Sequence, residues 1–354
     1  MNGSRSRPKS NHGTFGAIPI ESITERYYNE RRYTSKGDIN SLKINDRNFK
    51  GVSLDHFERQ EPLLLGKGGN STVECYKHIK SDTVMALKKT RLGQLNELDK
   101  KTKVTRDIEH LRKLRGHSNI ITLYGYFEMC GEAFICMEKM ETCFAKILQI
   151  CLKKDTLIPA KVLATLCYSI SHALVYLKDK KIIHRDVKPA NILLGTEGQI
   201  KLSDFDGSGY LYNSYCFSDP TITSCYAAPE RIDCDDKKNE AKFDCTADIW
   251  SLGVSALELA TRKHPFASKD MKAQFDLMAK ILKQEPPYLA KSDPAYEPNL
   301  ADFIAQCLKK DPDERMYPKV KNGRFYIMKH KFISMREIIL EKQVAEWYNN
   351  LTKN

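Results

Sequence analysis

The sequence predicts an α+β fold of two lobes: a small, β-rich lobe with one main helix, and a large, mainly helical lobe. Three observations predict it. Short β-favouring runs fill residues 57–137, with one helical stretch among them. From residue 140 onward the apolar spacing is mainly helical. A chain of 354 residues, 41 % apolar and 29 % charged, is long enough for one large bilobal domain or two ordinary domains, plus a tail. Segregated strands and helices make a cleft between them the natural place for a site.

The elements follow in order. Residues 1–55 are rich in Ser, Asn, Arg and Gly with weak apolar periodicity, and are expected to form a disordered basic tail. Leu63, Leu64 and Leu65 form a short apolar run that ends at Gly66-Lys67-Gly68-Gly69-Asn70. Residues 73–76 and 84–88 read as further strands. Val104, Ile108, Leu111 and Leu114 keep helical spacing, and residues 120–127 and 133–137 read as two more strands. The small lobe is thus expected over 56–140 and the large lobe over 141–333. The large lobe should hold a long apolar helix at 162–177, a loop at 182–194, short strands, a Gly/Ser/Tyr-rich stretch at 204–226, and helices. A last helix is expected over 334–354, with Leu340, Val344, Trp347 and Leu351 in one stripe.

Composition excludes several classes. The net charge is +12, from 57 Lys and Arg against 45 Asp and Glu, but no basic run is long enough for a nucleic-acid arm. Eleven cysteines without a C-x-x-C pair suggest neither a zinc site nor a disulfide framework. The first residues lack an apolar signal core, and no apolar run approaches the ~20 residues of a spanning helix. No nucleic acid and no membrane insertion are expected. The expected compartment is the cytoplasm, with the nucleus as a second location.

The Gly cluster alone is ambiguous. It fits a dinucleotide turn, a phosphate-binding loop or a plain hairpin. No Gly-Lys-Ser/Thr follows as a P-loop requires, and the next residues, Ser71 to Tyr76, favour a return strand over a helix. A Gly-rich hairpin lets backbone N–H groups approach phosphates, because no Cβ obstructs them.

A second constellation is specific. His184-Arg185-Asp186-Val187-Lys188-Pro189-Ala190-Asn191 precedes Lys201-Leu202-Ser203-Asp204-Phe205. These stretches match the protein-kinase signature set. In that set one carboxylate, here Asp186, orients the substrate hydroxyl and accepts its proton. Asn191 and Asp204 are the metal-holding pair, and Lys188 contacts the transferred phosphate. The remaining members are present. Met85-Ala86-Leu87-Lys88 resembles the strand that carries the ATP-anchoring lysine. Asp107 is its expected partner, one methylene shorter than the usual Glu; Glu109, about 200° around the helix, is the fallback. Glu230 of Ala228-Pro229-Glu230 should pair with Arg315, and Asp248 should brace the catalytic loop.

On these motifs the chain resembles the eukaryotic protein kinases. Phe134-Ile135-Cys136-Met137-Glu138-Lys139-Met140, HRDVKPANILL, GQIKLSDF, AAPERID and DIWSLGVSALELAT are similar to the mitogen-activated protein (MAP) kinase kinases, most of all to their stress-activated branch. The resemblance covers about residues 54–350. It implies a dual-specificity kinase, serving a MAP kinase downstream and a MAP kinase kinase kinase upstream, with ATP and Mg²⁺. It implies an ATP pocket formed by Leu65, Gly66, Lys67, Gly68, Gly69, Val73, Ala86, Lys88, Met137, Glu138 and Met140, with Met137 as gatekeeper. It also implies phosphorylation at Ser214 and Ser218, with Arg185 as a partner for the phosphate, and contact of Thr223 with the catalytic Asp and Lys. Arg31, Arg32 and Lys36, followed by Leu42-Lys43-Ile44, resemble the family's docking site for MAP kinases. The terminal helix would either dock upstream kinases or pack on the large lobe.

Three positions depart from the family. Ser71 replaces the third Gly of the loop and Ser203 replaces a Cys. Asp206 stands where the family has Gly, with Gly207 next to take over the hinge role. The Asp206 change keeps open an alternative: a weakly active or inactive scaffold of the same cascade.

Overall fold

Seven antiparallel strands in the order β2-β1-β6-β7-β5-β4-β3 make the small lobe of the computed structural model. They are β1 (Ser41–Ile44), β2 (Arg47–Lys50), β3 (Phe57–Lys67), β4 (Ser71–His78), β5 (Thr83–Arg91), β6 (Leu123–Met129) and β7 (Glu132–Glu138). The structure describes residues 40–68, 71–91, 107–205, 208–210, 224–232, 245–266, 274–290, 296–318, 326–334 and 341–353.

The central strand β7 explains the layering. Successive side chains of a strand point to opposite faces. Phe134 and Cys136 enter an outer core with Leu42, Ile44, Phe57, Met85, Leu87 and Phe127. Ala133, Ile135 and Met137 enter the main core. There they meet the helix 107–113, α1, through Ile108 and Leu111. Between its terminal glutamates the strand is apolar, Ala133 to Met137, because both of its faces are covered there.

The expected tail boundary at residue 55 needs correction. Residues 41–50 form a hairpin that pairs with β6, Ser41 opposite Tyr126 and Leu42 opposite Gly125. Leu42 and Ile44 are each only 1 % exposed. A Cβ on Gly125 would lie 2.1 Å from the Ser41 carbonyl oxygen, so glycine is what allows β1 so close. The apolar half of the expected docking sequence is therefore core, not a free peptide. Its basic half, Arg31 to Lys36, lies outside the described residues.

The large lobe is helical, as expected. Its helices are α2 (Phe144–Lys153), α3 (Ala160–Asp179), α4 (Pro229–Ile232), α5 (Thr246–Thr261), α6 (Gln274–Lys283), α7 (Pro298–Cys307), α8 (Lys331–Ser334) and α9 (Glu341–Thr352). In α2 the buried residues are Phe144, Ile147, Leu148 and Cys151, a one-sided stripe. α3 and α5 are buried nearly all round and pack on each other. By length and composition α3 could cross a membrane, contrary to the expectation that no run would qualify. Its packing against α5 and β11 (Ile200–Leu202) accounts for its apolar character.

The terminal helix packs on the lobe. Val344 and Leu351 are buried, Trp347 is half-buried, and the Lys154 ammonium donates to the Leu351 carbonyl at 2.6 Å. Leu340 lies outside the described residues. Most of the stripe is thus satisfied within the chain. A Cβ on Gly198, in the turn after β10 (Ile192–Leu194), would lie 1.8 Å from the Glu341 carbonyl, and Gly198 itself has φ +89°. Substituting Gly198 with Val should displace α9 and lower stability by roughly 2 kcal/mol, through steric conflict and left-handed strain. A thermal melt beside the wild type checks this, and an unchanged midpoint refutes it.

Two half-buried histidines set a pH dependence. His117 stacks on Tyr176 at 4.5 Å and accepts a hydrogen bond from the Asn119 N–H at 3.2 Å. Burial lowers His117 to about 4, aided by the neighbouring charges of His172 and Lys201, and burial alone lowers His264 to about 4. In the unfolded chain both titrate near 6.5. Below that value the unfolded state takes up protons that the fold excludes. The contribution is therefore complete above pH 6.5 and is lost as pH falls toward 4. The melting midpoint should fall steadily between pH 7 and 5, and replacing both residues with Gln should flatten that slope.

Candidate active site

The catalytic loop begins after α3 at the two-residue strand β9 (Ile182–Ile183), and a tight scaffold holds it. Asp248, in the first turn of α5, accepts hydrogen bonds from the backbone N–H groups of His184 and Arg185, at 2.7 and 2.8 Å. Arg185 has φ +71° and Asp204 has φ +67°. Such left-handed geometry is costly for residues with a Cβ and persists only where neighbours impose it. Asp248 supplies that constraint at Arg185. The Arg185 carbonyl accepts from Arg231 at 2.6 Å, tying the loop to α4.

Asp186, Lys188 and Asn191 come together. The Asp186 carboxylate accepts from the Lys188 ammonium and from Asn191 Nδ2, each at 2.8 Å. Asn191 Nδ2 also donates to the Asp186 carbonyl at 2.8 Å. The backbone carbonyl of Asn191 accepts from both N–H and Oγ of Ser203, at 3.0 and 3.1 Å. Ser203 thus has a job: its hydroxyl ties the catalytic loop to the strand that delivers Asp204. β10 and β11 pair in register, Ile192 opposite Leu202, and fix that spacing.

Lys88 reaches the same place from the small lobe. It lies on β5, two residues after Ala86, so both project from one face of the sheet. Its ammonium is 2.6 Å from Asp204 Oδ1 and 3.5 Å from Asp107 Oδ2. Asp107, rather than Glu109, is the acid of α1 that faces the lysine. Burial alone would raise the Asp204 carboxyl, but the charge and hydrogen bond of Lys88 outweigh it and hold the group below its ordinary value.

The nucleotide-side residues frame this cluster. Gly66 pairs with Val73 across the hairpin, and the Gly68 N–H donates to the Ser71 carbonyl at 2.8 Å. Leu65 and Lys67 lie on β3, and the Leu65 carbonyl accepts from Lys146 of α2, linking the lobes at 2.7 Å. Ala86 sits opposite Met137 in the β5–β7 register, and both are buried. The Glu138 N–H is taken by the Thr122 carbonyl at 3.0 Å, so this amide is not among the backbone groups left for an adenine. Met140 packs against the main core. Gly69, Asp206, Gly207, Ser214, Ser218 and Thr223 lie outside the described residues.

The Glu230–Arg315 pair is bidentate, with contacts of 2.6 and 3.1 Å. Arg315 also donates to the carbonyls of Lys309, Lys310 and Thr246, and its guanidinium lies 5.3 Å from the Trp250 ring. All of this anchors α4 beneath the site.

Several contributors escaped the sequence reading. The Glu138 carboxylate accepts from Lys201 and from the Thr122 N–H, both at 2.6 Å, joining the end of β7 to β11. The His184 ring lies 4.7 Å from Phe205, edge to face, and 3.1 Å from the Ser203 carbonyl. Burial holds this imidazole below its ordinary value despite the nearby carboxylates of Asp248, Asp186 and Asp204. Only the placement of His184 beside the base offered any sequence signal for these contacts.

The donor set fits one kind of metal. Among the described residues no three His, Cys, Asp or Glu side chains converge as a zinc or iron site would need. One carboxylate, Asp204, and one amide oxygen, Asn191, suit a hard cation that keeps phosphate and water oxygens as its other ligands.

The sequence is similar to those of known protein kinases. The protein kinase domain family matches residues 60–333. The human dual specificity mitogen-activated protein kinase kinase 7 is 35 % identical over 288 residues, 81 % of this chain and 65 % of that protein. The dual specificity mitogen-activated protein kinase kinase hemipterous of Drosophila melanogaster is 32 % identical over 82 % of this chain, but only 23 % of its own length. For sek-1 of Caenorhabditis elegans, also a dual specificity mitogen-activated protein kinase kinase, identity is 33 % over 72 % of this chain and 74 % of that protein.

The chain belongs to the MAP kinase kinase family of protein kinases.

In this MAP kinase kinase β7 ends at Glu138, and the chain passes through Met140, which packs against the main core, into the helical lobe. The chain spans about half to two-thirds of the length of its mammalian relatives of this family.

Proposed function

We propose that this MAP kinase kinase transfers the γ-phosphoryl group of ATP to a Thr and a Tyr in the activation loop of a MAP kinase. The observation that carries the reading is the convergence of Lys88, Asp204, Asp186 and Asn191 from three separate stretches of chain, each within 2.8 Å of another. Lys88 anchors the α- and β-phosphates. Asp186 orients the incoming hydroxyl and takes its proton as the new phosphorus–oxygen bond forms and the γ-phosphorus bond to the leaving ADP breaks. Lys188 places its charge beside the phosphoryl in transit. Asp204 and Asn191 would hold Mg²⁺, which supplies charge neutralisation on the phosphates when bound. Ser214 and Ser218 receive activating phosphates from an upstream kinase, and Arg185, next to Asp186 in the sequence, is the proposed cation for one of them.

The test uses full-length protein with Ser214→Asp and Ser218→Asp, labelled ATP and a kinase-dead MAP kinase. Magnesium-dependent labelling on both Thr and Tyr is the expected result. Intact ATP binding without transfer would sink the catalytic reading in favour of a scaffold.

A further inference from the structure

Two residues of α1, one helical turn apart, grip opposite ends of the segment 204–208. Asp107 reaches it through Lys88, which holds Asp204. His110 reaches it directly: its Nδ1 lies 2.6 Å from Ser208 Oγ, and both side chains are fully buried. Residues three apart on a helix share a face, so both grips act along one line.

The proton inventory fixes the direction of the second bond. Ser208 has one hydroxyl proton, and it is donated to the Phe205 carbonyl. The Ser208 N–H donates to that same carbonyl at 2.9 Å. Ser208 Oγ must therefore accept from His110, so the imidazole carries its proton on Nδ1. The result is a relay from His110 through Ser208 to the backbone of Phe205, whose ring packs against His184 of the catalytic loop. Beyond Ser208, β12 (Gly209–Tyr210) pairs with β9, so the far end of the segment is also tied to that loop.

We propose that His110 is a positioning residue. Its hydrogen bond to Ser208 holds α1 against the root of the activation segment, and so keeps Lys88 between Asp107 and Asp204. The 3.5 Å Lys88–Asp107 contact is a long one made by a short acid. The His110–Ser208 bond, short and fully buried, is a second tether beside that contact and the apolar packing of Ile108 and Leu111. The bland alternative is a buried polar pair that serves stability only.

This inference rests on the phosphoryl-transfer reading above, and its test separates the two. The protein is the full chain with Ser214→Asp and Ser218→Asp. The variants are His110→Phe, which keeps a ring but no donor; His110→Asn, whose amide N–H falls near the place of Nδ1; Ser208→Ala; and the Phe/Ala double. The kcat, the KM for ATP and the hydrogen exchange of amides 107–114 are measured. Positioning predicts a roughly tenfold fall in kcat for His110→Phe and for Ser208→Ala, about 1.4 kcal/mol. It predicts little further loss in the double variant, recovery in His110→Asn, and faster exchange of the α1 amides in Ser208→Ala. If His110→Phe does not fold, Ser208→Ala and His110→Asn carry the comparison. A kcat within twofold of the parent in Ser208→Ala, or losses that simply add, would overturn the proposal. Should the parent transfer no phosphate, the kinase reading falls. Exchange alone then decides this one, and α1 protection unmoved by Ser208→Ala refutes it.

Discussion

Asp186→Asn is expected to lower kcat about 10²- to 10⁴-fold, the usual contribution of a positioned general base. The amide keeps the size and shape of the carboxylate, so Lys188 and Asn191 still find an oxygen at 2.8 Å. What is lost is the ability to take a proton from the substrate hydroxyl. ATP affinity should stay within about threefold, because Lys88 and the hairpin are untouched. Transfer assays beside nucleotide titration make the comparison. A variant that transfers at the parental rate would remove Asp186 from the mechanism.

Arg315→Met is expected to cost about 3–5 kcal/mol of stability, as breaking a buried ion pair from one side typically does. Methionine fills much of the space beside Trp250 but leaves the Glu230 carboxylate and the carbonyls of Thr246, Lys309 and Lys310 without their donor. The melting midpoint should drop by on the order of 10 °C for a domain of this size. Glu230→Gln is the gentler companion, since Arg315 keeps three carbonyl partners and an amide oxygen. It should cost less than half as much. Equal effects of the two changes, or none, would show that the bidentate pair is not the anchor of α4.

These two sites were legible because their chemistry dictates residue type and spacing together. Asp186, Lys188 and Asn191 share one short loop, so one stretch of sequence contains the base and its neighbours. Asp107 is favoured over Glu109 because Arg106-Asp107-Ile108 resembles the family's Arg-Glu-Ile; helical geometry adds only that the two acids lie on different faces. The β1–β2 hairpin was not legible. Its residues look like a tail until β6 supplies a pairing edge and Gly125 allows close approach. Likewise the stripe on α9 could serve a partner or the chain itself, and only the seat beside Gly198 and Lys154 resolves which.

What the order of residues offered was local: most strand and helix periods, the Gly-rich hairpin, the catalytic-loop motif, and candidates for the groups that would do chemistry. What awaited the folded chain were the contacts between distant segments that no motif announces. Lys201 with Glu138, Ser203 with Asn191, and His110 with Ser208 join residues 12 to 98 positions apart. The physical reason is the range of the forces. Backbone sterics and side-chain periodicity act over a few residues, whereas a buried hydrogen bond exists only once packing has expelled water from both of its ends.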